Sequence, residues 1–331
     1  MNDNSEISTG SGNGAGPSAR EWQLIEKLLG EAQLEQRRRR RWGIFFKALV
    51  VIYLFLVLGL VFSEQSGDSI GASGPHVAVV DVTGEIAADK PANARLLIAS
   101  LRDAFSAPNA KAVMLRINSP GGSPVQADYV YNEIRRLRKQ YPDKKVYAVI
   151  TDVGASGAYY IASAADDIYA APASIVGSIG VIMAGFGLEK AAEKLGVQRR
   201  VYTAGDNKDM LDPFAPVRPQ DRQYVQQMLD EVHQQFIDAV KQGRGKRLKT
   251  ADHPELFSGL FWTGQRALQL GLIDGLKSPD QVARDVVGVD KLVDYTVSES
   301  TVDRLLKQFG TSVGAGVSHA LGLNEAVPAL R

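Results

Sequence analysis

The sequence predicts an α/β protein built on a mostly parallel sheet, with a helical C-terminal part and a single N-terminal transmembrane helix. Three observations predict it. Between positions 76 and 203, short apolar runs alternate with amphipathic stretches, the pattern of right-handed βαβ crossovers. Past Asp212 the apolar residues adopt helical spacing instead. Near the N-terminus, an almost uncharged apolar run follows a block of arginines.

Residues 1–18 are rich in Asn, Ser, Gly and Glu and too polar to bury a core, so they read as a disordered tail. Within 20–36, Trp22, Leu24, Ile25, Leu28, Leu29 and Leu34 predict an amphipathic helix that either lies on a membrane surface or packs locally. Together residues 1–42 form the expected cytoplasmic tail. Arg37 to Arg41 then precede Trp42 and the run 43–63, where Lys47 is the only charge. About 20 apolar residues at a rise of about 1.5 Å span a bilayer, and Lys47 lies close enough to the arginines to snorkel. A cleaved signal peptide is the rival, but the stretch before the run is too long for one and no clear A-x-A site follows. Arginines on one side, with Glu64 and Asp68 on the other, place the N-terminus in the cytoplasm and everything past residue 63 outside. Residues 64–75 read as a flexible linker.

In the domain 76–298, strands are expected over 76–82, 112–118, 145–152, 167–171 and 198–203, with helices over 92–105, 125–138, 157–165 and 188–195. A long amphipathic helix follows over 219–242, carrying Val225, Met228, Leu229, Val232, Phe236, Ile237 and Val240 on one side. Shorter helices over 263–270 and 279–286 precede a last strand over 292–297. Residues 299–331 read as a C-terminal tail, a weak amphipathic helix or a subunit contact. A ligand site belongs at the strand carboxyl ends.

The chain has no cysteine, which excludes disulfides, thiolate nucleophiles and Cys-based metal sites and fits an oxidising compartment. A formal net charge of +1 gives no general attraction for nucleic acid. No phosphate loop, dinucleotide fingerprint or metal-ligand spacing occurs, so neither metal nor cofactor is expected.

What remains is a serine. Ser156 lies in Val-Gly-Ala-Ser-Gly-Ala-Tyr-Tyr, residues 153–160, between an apolar strand and a helix. Gly154 and Gly157 permit a tight bend, and the helix start offers N–H groups and a dipole to a developing oxyanion. Ser is equally a common N-cap, and the elbow motif G-x-S-x-G is missed by one residue, Ala158. Asn118-Ser119-Pro120-Gly121-Gly122, after another strand, either exposes amides for an oxyanion or makes a plain Pro-Gly turn. The histidines are His76, His233, His253 and His319, with none among the strands and loops between 76 and 233. A lysine serves as base only if its surroundings hold its pKa well below about 10.4. Lys208 follows the expected strand 198–203 and so reaches the same rim, although Asp206 and Asp209 suit a solvated loop. Gly177-Ser178-Ile179-Gly180-Val181 either supplies a hydroxyl to orient an amine or packs as a turn.

In order and spacing, segments 117–122, 154–160, 177–181 and 205–209 resemble the signal peptide peptidase A family, membrane-anchored Ser-Lys peptidases also called protease IV. The resemblance covers roughly residues 76–297. It implies a Clp protease/crotonase-like core of ββα type, with Ser156 as nucleophile, Lys208 as general base and Ser178 orienting the lysine amine. Backbone N–H groups of Gly121, Gly122 and Gly157 would form the oxyanion hole. It also implies a single-pass protein of the bacterial inner membrane, in contact with its lipid, with the catalytic domain on the periplasmic side. The implied substrates are remnant signal peptides or other hydrophobic peptides, and the implied assembly is a homo-oligomeric ring in which serine and lysine can come from neighbouring subunits. An apolar groove beside Ser156 would favour small or apolar side chains flanking the cut. Ala158 departs from the family's glycine, and Asp212-Pro213-Phe214 is a looser match. The alternatives are a membrane-protein quality-control peptidase of the same family, a crotonase-like acyl-CoA enzyme, and a silent membrane scaffold.

Overall fold

Residues 42–55 and 74–298 are described by the computed structural model of the chain, which divides into two units, Met1–Gly67 and Asp68–Arg331. In the first unit residues 42–55 form helix α1 with exposed side chains. Among the described residues no helix is long and apolar enough to cross a membrane. The rest of the expected span, 56–63, lies outside the described residues, as do the tail 1–41, most of the linker and the segment 299–331.

The second unit is organised on an eight-stranded sheet. Its strands are β1 (His76–Thr83), β2 (Ala110–Ser119), β3 (Lys145–Ala155), β4 (Asp167–Ala170), β5 (Ile175–Gly177), β6 (Phe261–Thr263), β7 (Gly275–Leu276) and β8 (Leu292–Asp294). The main path runs β6-β5-β3-β2-β1-β8, with β4 beside β3 and β7 beside β4. Every pairing is parallel except β5 with β6. This is the mostly parallel α/β architecture expected. The central strands read as continuous apolar runs because both faces are covered. Along β1, Ala78, Val80 and Val82 enter the large core beneath the helices, while Val77 and Val79 enter a smaller cluster on the other face.

The helices are α2 (Ala94–Ser106), α3 (Pro124–Gln140), α4 (Gly157–Ala162), α5 (Glu189–Lys194), α6 (Pro219–Arg244), α7 (Gly264–Leu270) and α8 (Pro279–Gln281), which runs on as a π-helix over Val282–Val287. Their starts follow local capping chemistry. The Asn93 side chain accepts from the Leu96 N–H, Ser123 accepts from Gln126 ahead of Pro124, and Ser278 with Gln281 forms a capping box. At the other end of α6, Arg244 is 2 % exposed and donates to Asp274 and to the Gly271 carbonyl. Burial works against the Asp274 carboxylate, but Arg244, the Ile168 N–H and Arg247 together outweigh it and hold the group below its ordinary range.

The expected strand over 198–203 does not form. Val201 and Tyr202 are exposed, the latter at 91 %, and among the described residues no strand pairs with this segment. β-Branched and aromatic residues favour a strand only where a pleated, half-buried surface exists. Three strands went unexpected, β5, β6 and β7, each too short to show a period.

Candidate active site

The site begins with a bulge. β2 and β3 stay in register to Ile117 opposite Ile150, and then Ser119 meets Gly154, so residues 151–153 stand against Asn118 alone. Asn118 Nδ2 donates to Asp152 Oδ2 at 2.9 Å and Thr151 Oγ1 to the Ile117 carbonyl at 3.2 Å, fastening the bulge. Beyond it β3 exchanges β4 for β5, with Ala155 opposite Gly177.

Ser156 is the next residue, and there the chain turns sharply into α4 with φ 53° and ψ −127°. Such a backbone costs a side-chain-bearing residue on the order of 1–3 kcal/mol and persists only when its surroundings impose it. One constraint is the Ser156 N–H, which donates to the Gly177 carbonyl at 2.8 Å. Although Ser156 occupies the N-cap position, its side chain makes no capping hydrogen bond. The hydroxyl therefore does not have the ordinary structural duty that its position suggested.

The Pro-Gly-Gly loop approaches from β2. A Cβ on Gly121 would lie 2.7 Å from that of Ser156, and one on Gly122 would lie 2.2 Å from the Ile86 carbonyl oxygen, so both positions require glycine. The Ile86 N–H donates to the Gly121 carbonyl and the Ser123 N–H to that of Ile86, at 2.9 and 2.7 Å. In this parallel bridge the N–H of Gly122 itself turns away from Ile86. Gly157 lies close by: a Cβ built there would sit 3.4 Å from the Gly122 nitrogen. Gly157 is the first residue of α4, so its N–H has no partner within the helix. Gly121 differs, because its N–H donates to Ser119 Oγ at 3.1 Å. Of the three amides expected as oxyanion donors, one is thus engaged elsewhere, and those of Gly122 and Gly157 remain together.

Ser156, Gly122 and Gly157 line a cavity of about 300 Å³. Val125 of α3, Ile182, and Val232 and Phe236 of α6 make its walls largely apolar, with Asp128 of α3, Tyr160 of α4 and Gln235 of α6 as polar members. The Tyr160 phenol is pushed well above its ordinary range by burial and by the Asp128 carboxylate. Asp128 was not singled out from the sequence, and Tyr160 and Phe236 were named there only as part of the serine stretch and of an amphipathic helix, not as site residues. They come from three helices, and the one available sign was Asp128 one turn after Pro124, on the face that Pro124 presents to the loop.

Ser178 leaves β5 beside Ser156, half-buried, with φ 52° and its N–H donating to the Leu260 carbonyl at 2.8 Å. Lys208 is placed differently. It is exposed, in a turn rather than at a strand end, with its N–H 3.2 Å from the Gly205 carbonyl, and it does not line the cavity. Its loop is tethered through Asp209, which accepts from Arg218 at 3.0 Å, while Arg218 also holds Asp221 at 2.8 Å. From Ile182 at the rim of the cavity to this loop the chain is largely exposed, with Ile182 at 85 % and Phe186 at 86 %. His233, which the sequence left remote, adjoins Val232 of the cavity wall, and its Nε2 lies 3.0 Å from the Ile179 carbonyl.

The model of peptidase family S49 matches residues 138–291, a stretch that contains Ser156, Ser178 and Lys208. The chain is 50 % identical over 188 residues to a Na(+)/H(+) antiporter NhaA of Brucella abortus, covering 57 % of this chain and 25 % of that protein. It spans about a quarter of the length of the first curated relatives it matches. A putative signal peptide peptidase SppA of Enterococcus faecium is 29 % identical over 237 residues, 69 % of this chain and 68 % of that one. A putative protease of Synechocystis sp. is 33 % identical over 217 residues, 65 % of this chain and 75 % of that one. With three quarters of a putative protease aligned along it at 33 % identity, and the family model matching residues 138–291, the chain belongs to peptidase family S49.

Proposed function

We propose that the chain is a membrane-anchored serine endopeptidase that cleaves remnant signal peptides or other hydrophobic peptides through a Ser156–Lys208 dyad and an acyl-enzyme. Family membership makes it a peptidase with peptide substrates. The observation that carries the serine reading is Ser156 itself: a hydroxyl on a strained strand-to-helix turn, free of capping duty, beside the Gly122 and Gly157 amides.

In this reading a neutral Lys208 takes the Ser156 proton as Oγ attacks a peptide carbonyl. The two amides receive the oxyanion, which they serve best where water is excluded. The ammonium then protonates the leaving amine, and water repeats the cycle on the ester. Ser178 holds the lysine amine.

Lysine loses its proton only when desolvated or near other cations, and Lys208 is exposed in the single chain. The reading therefore includes a homo-oligomeric ring, in which a neighbouring copy covers the segment 181–217 and serine and lysine meet across the contact. The large exposed side chains of that segment support it, since soluble surfaces rarely leave so many together. The run 43–63 behind Arg37 to Arg41 serves as the anchor, holding the domain against the outer face of the bacterial inner membrane.

The test is hydrolysis of a leader-like quenched peptide by the detergent-solubilised chain and its Ser156→Ala and Lys208→Ala variants. Both substitutions should bring turnover to background with the assembly intact. Lys208→Ala retaining most of the activity would remove lysine from the mechanism.

A further inference from the structure

Among the described residues lining the cavity beside Ser156, one carries a formal charge, Asp128. Its Oδ1 accepts from the Tyr160 hydroxyl at 3.1 Å and from Asn132 Nδ2 at 2.9 Å. Tyr160 is itself held in place, with its ring 5.2 Å from that of Tyr131 and 5.0 Å from that of Phe236. Two donors thus orient the carboxylate through one oxygen. Among the described residues neither a cation nor any other donor meets Oδ2. A carboxylate has about four acceptor sites, so Oδ2 of this half-buried side chain is open to a donor that enters the cavity.

We propose that this cavity is a specificity site for a residue beside the scissile bond with an apolar stem and a cationic tip, lysine or arginine, and that Asp128 Oδ2 receives the tip. The inference rests on the peptidase reading of Ser156 and narrows its substrates: the hydrophobic peptides that are cut carry a basic residue at the cut. Lysine and arginine suit the geometry because their methylenes cover apolar surface while the charged end reaches a polar group. Val125, Val232 and Phe236 line the path of the stem, and the tip gains a charge-assisted hydrogen bond. A neutral side chain of the same length would displace water from Asp128 and give nothing back. An acidic one would be repelled. The groove therefore selects against the small or purely apolar residues that its walls alone would favour.

The experiment uses quenched peptides with lysine, arginine, norleucine or glutamate placed in turn at each position flanking the cut, and the full chain in detergent. At one of the two positions lysine and arginine should exceed norleucine in kcat/KM by roughly tenfold, with glutamate poorest. Asp128→Asn should erase that ratio, and Asp128→Glu, which keeps the charge, should retain part of it. Norleucine matching lysine at both positions in the unmodified chain, or a ratio unmoved by Asp128→Asn, overturns the proposal. If no peptide is cut, the catalytic reading of Ser156 fails on its own account. The cavity is then judged by binding of the same peptides to the Ser156→Ala chain: a roughly tenfold advantage for lysine over norleucine supports the site, and equal binding overturns it.

Discussion

Ser156 and Ser178 leave neighbouring parallel strands at the same level. Ala155 pairs with Gly177, the Ser156 N–H donates to the Gly177 carbonyl, and the two serines share nearly the same positive φ, 53° and 52°. Among the described residues the other non-glycine with positive φ is Leu211, three positions past Lys208. Backbone strain is therefore confined to the segments that the proposed mechanism uses.

Ser178→Gly should separate stability from activity. Glycine accepts the positive φ, so relief of strain should stabilise the fold by about 1 kcal/mol, read as a rise in thermal midpoint. Loss of the hydroxyl should lower kcat by on the order of tenfold or more, because a general base acts through its alignment. An unchanged kcat would leave Ser178 with a purely structural part.

Gly122→Ala should be damaging in a different way. The added methyl meets the Ile86 carbonyl oxygen, a backbone atom that cannot rotate aside, and the residue keeps φ 148°. A loss of about 2 kcal/mol or more in denaturant titration is expected, together with loss of hydrolysis. Full activity and unchanged stability in the Gly122→Ala chain would show that the loop yields to the methyl and that its close approach to Ile86 is not needed for hydrolysis.

The identity of the base is decided by comparing Lys208→Ala with His233→Ala. His233 lies nearer the cavity wall, but one ring nitrogen already faces the Ile179 carbonyl. Hydrolysis should vanish in the first variant and survive in the second. The opposite pattern would move the proton-transfer role to α6.

Glu133 predicts an acid limb. Arg136, joined against the opposing effect of burial by Arg102, holds this carboxyl down to about 2 from an ordinary 4.5. A folded pKa below the unfolded one contributes stability above pH 4.5 that is lost as the pH falls toward 2. Both arginines are more than half exposed, so screening limits the contribution to about 1 kcal/mol. Glu133→Gln should lower stability by that amount at pH 7 and by almost nothing near pH 2, as read from denaturation across the range.

Legibility followed the range of the interactions. β1, β2 and β3 were readable because eight or more residues with both faces buried leave a long apolar run. The tight turns at Gly121, Gly122 and Ser156 were readable because such turns restrict residue type, whereas the choice of their proposed roles came only from the family resemblance. The segment 198–203 has strand propensity without a partner, and propensity cannot report that absence. Lys208 was placed at the rim of the sheet through that strand and lost its footing with it. Asp128, Tyr160 and Phe236 are far apart in sequence and meet only through the packing of α3, α4 and α6, which no local pattern encodes. The diversion of the Gly121 amide to Ser119 Oγ is likewise a matter of one rotamer.

The pairing of β1 with β8 bears on how the chain is made. Val77 to Val79 lie along Leu292 to Asp294, and buried His76 stacks on Tyr295 with its Nε2 3.0 Å from the tyrosine hydroxyl. Among the described strands, the first to be synthesised thus finds its outer neighbour only when the last has emerged. Until then one edge of β1 stands open to other chains, and the valines facing the π-helix have no cover. The domain is therefore most prone to aggregation while its own biosynthesis is still unfinished.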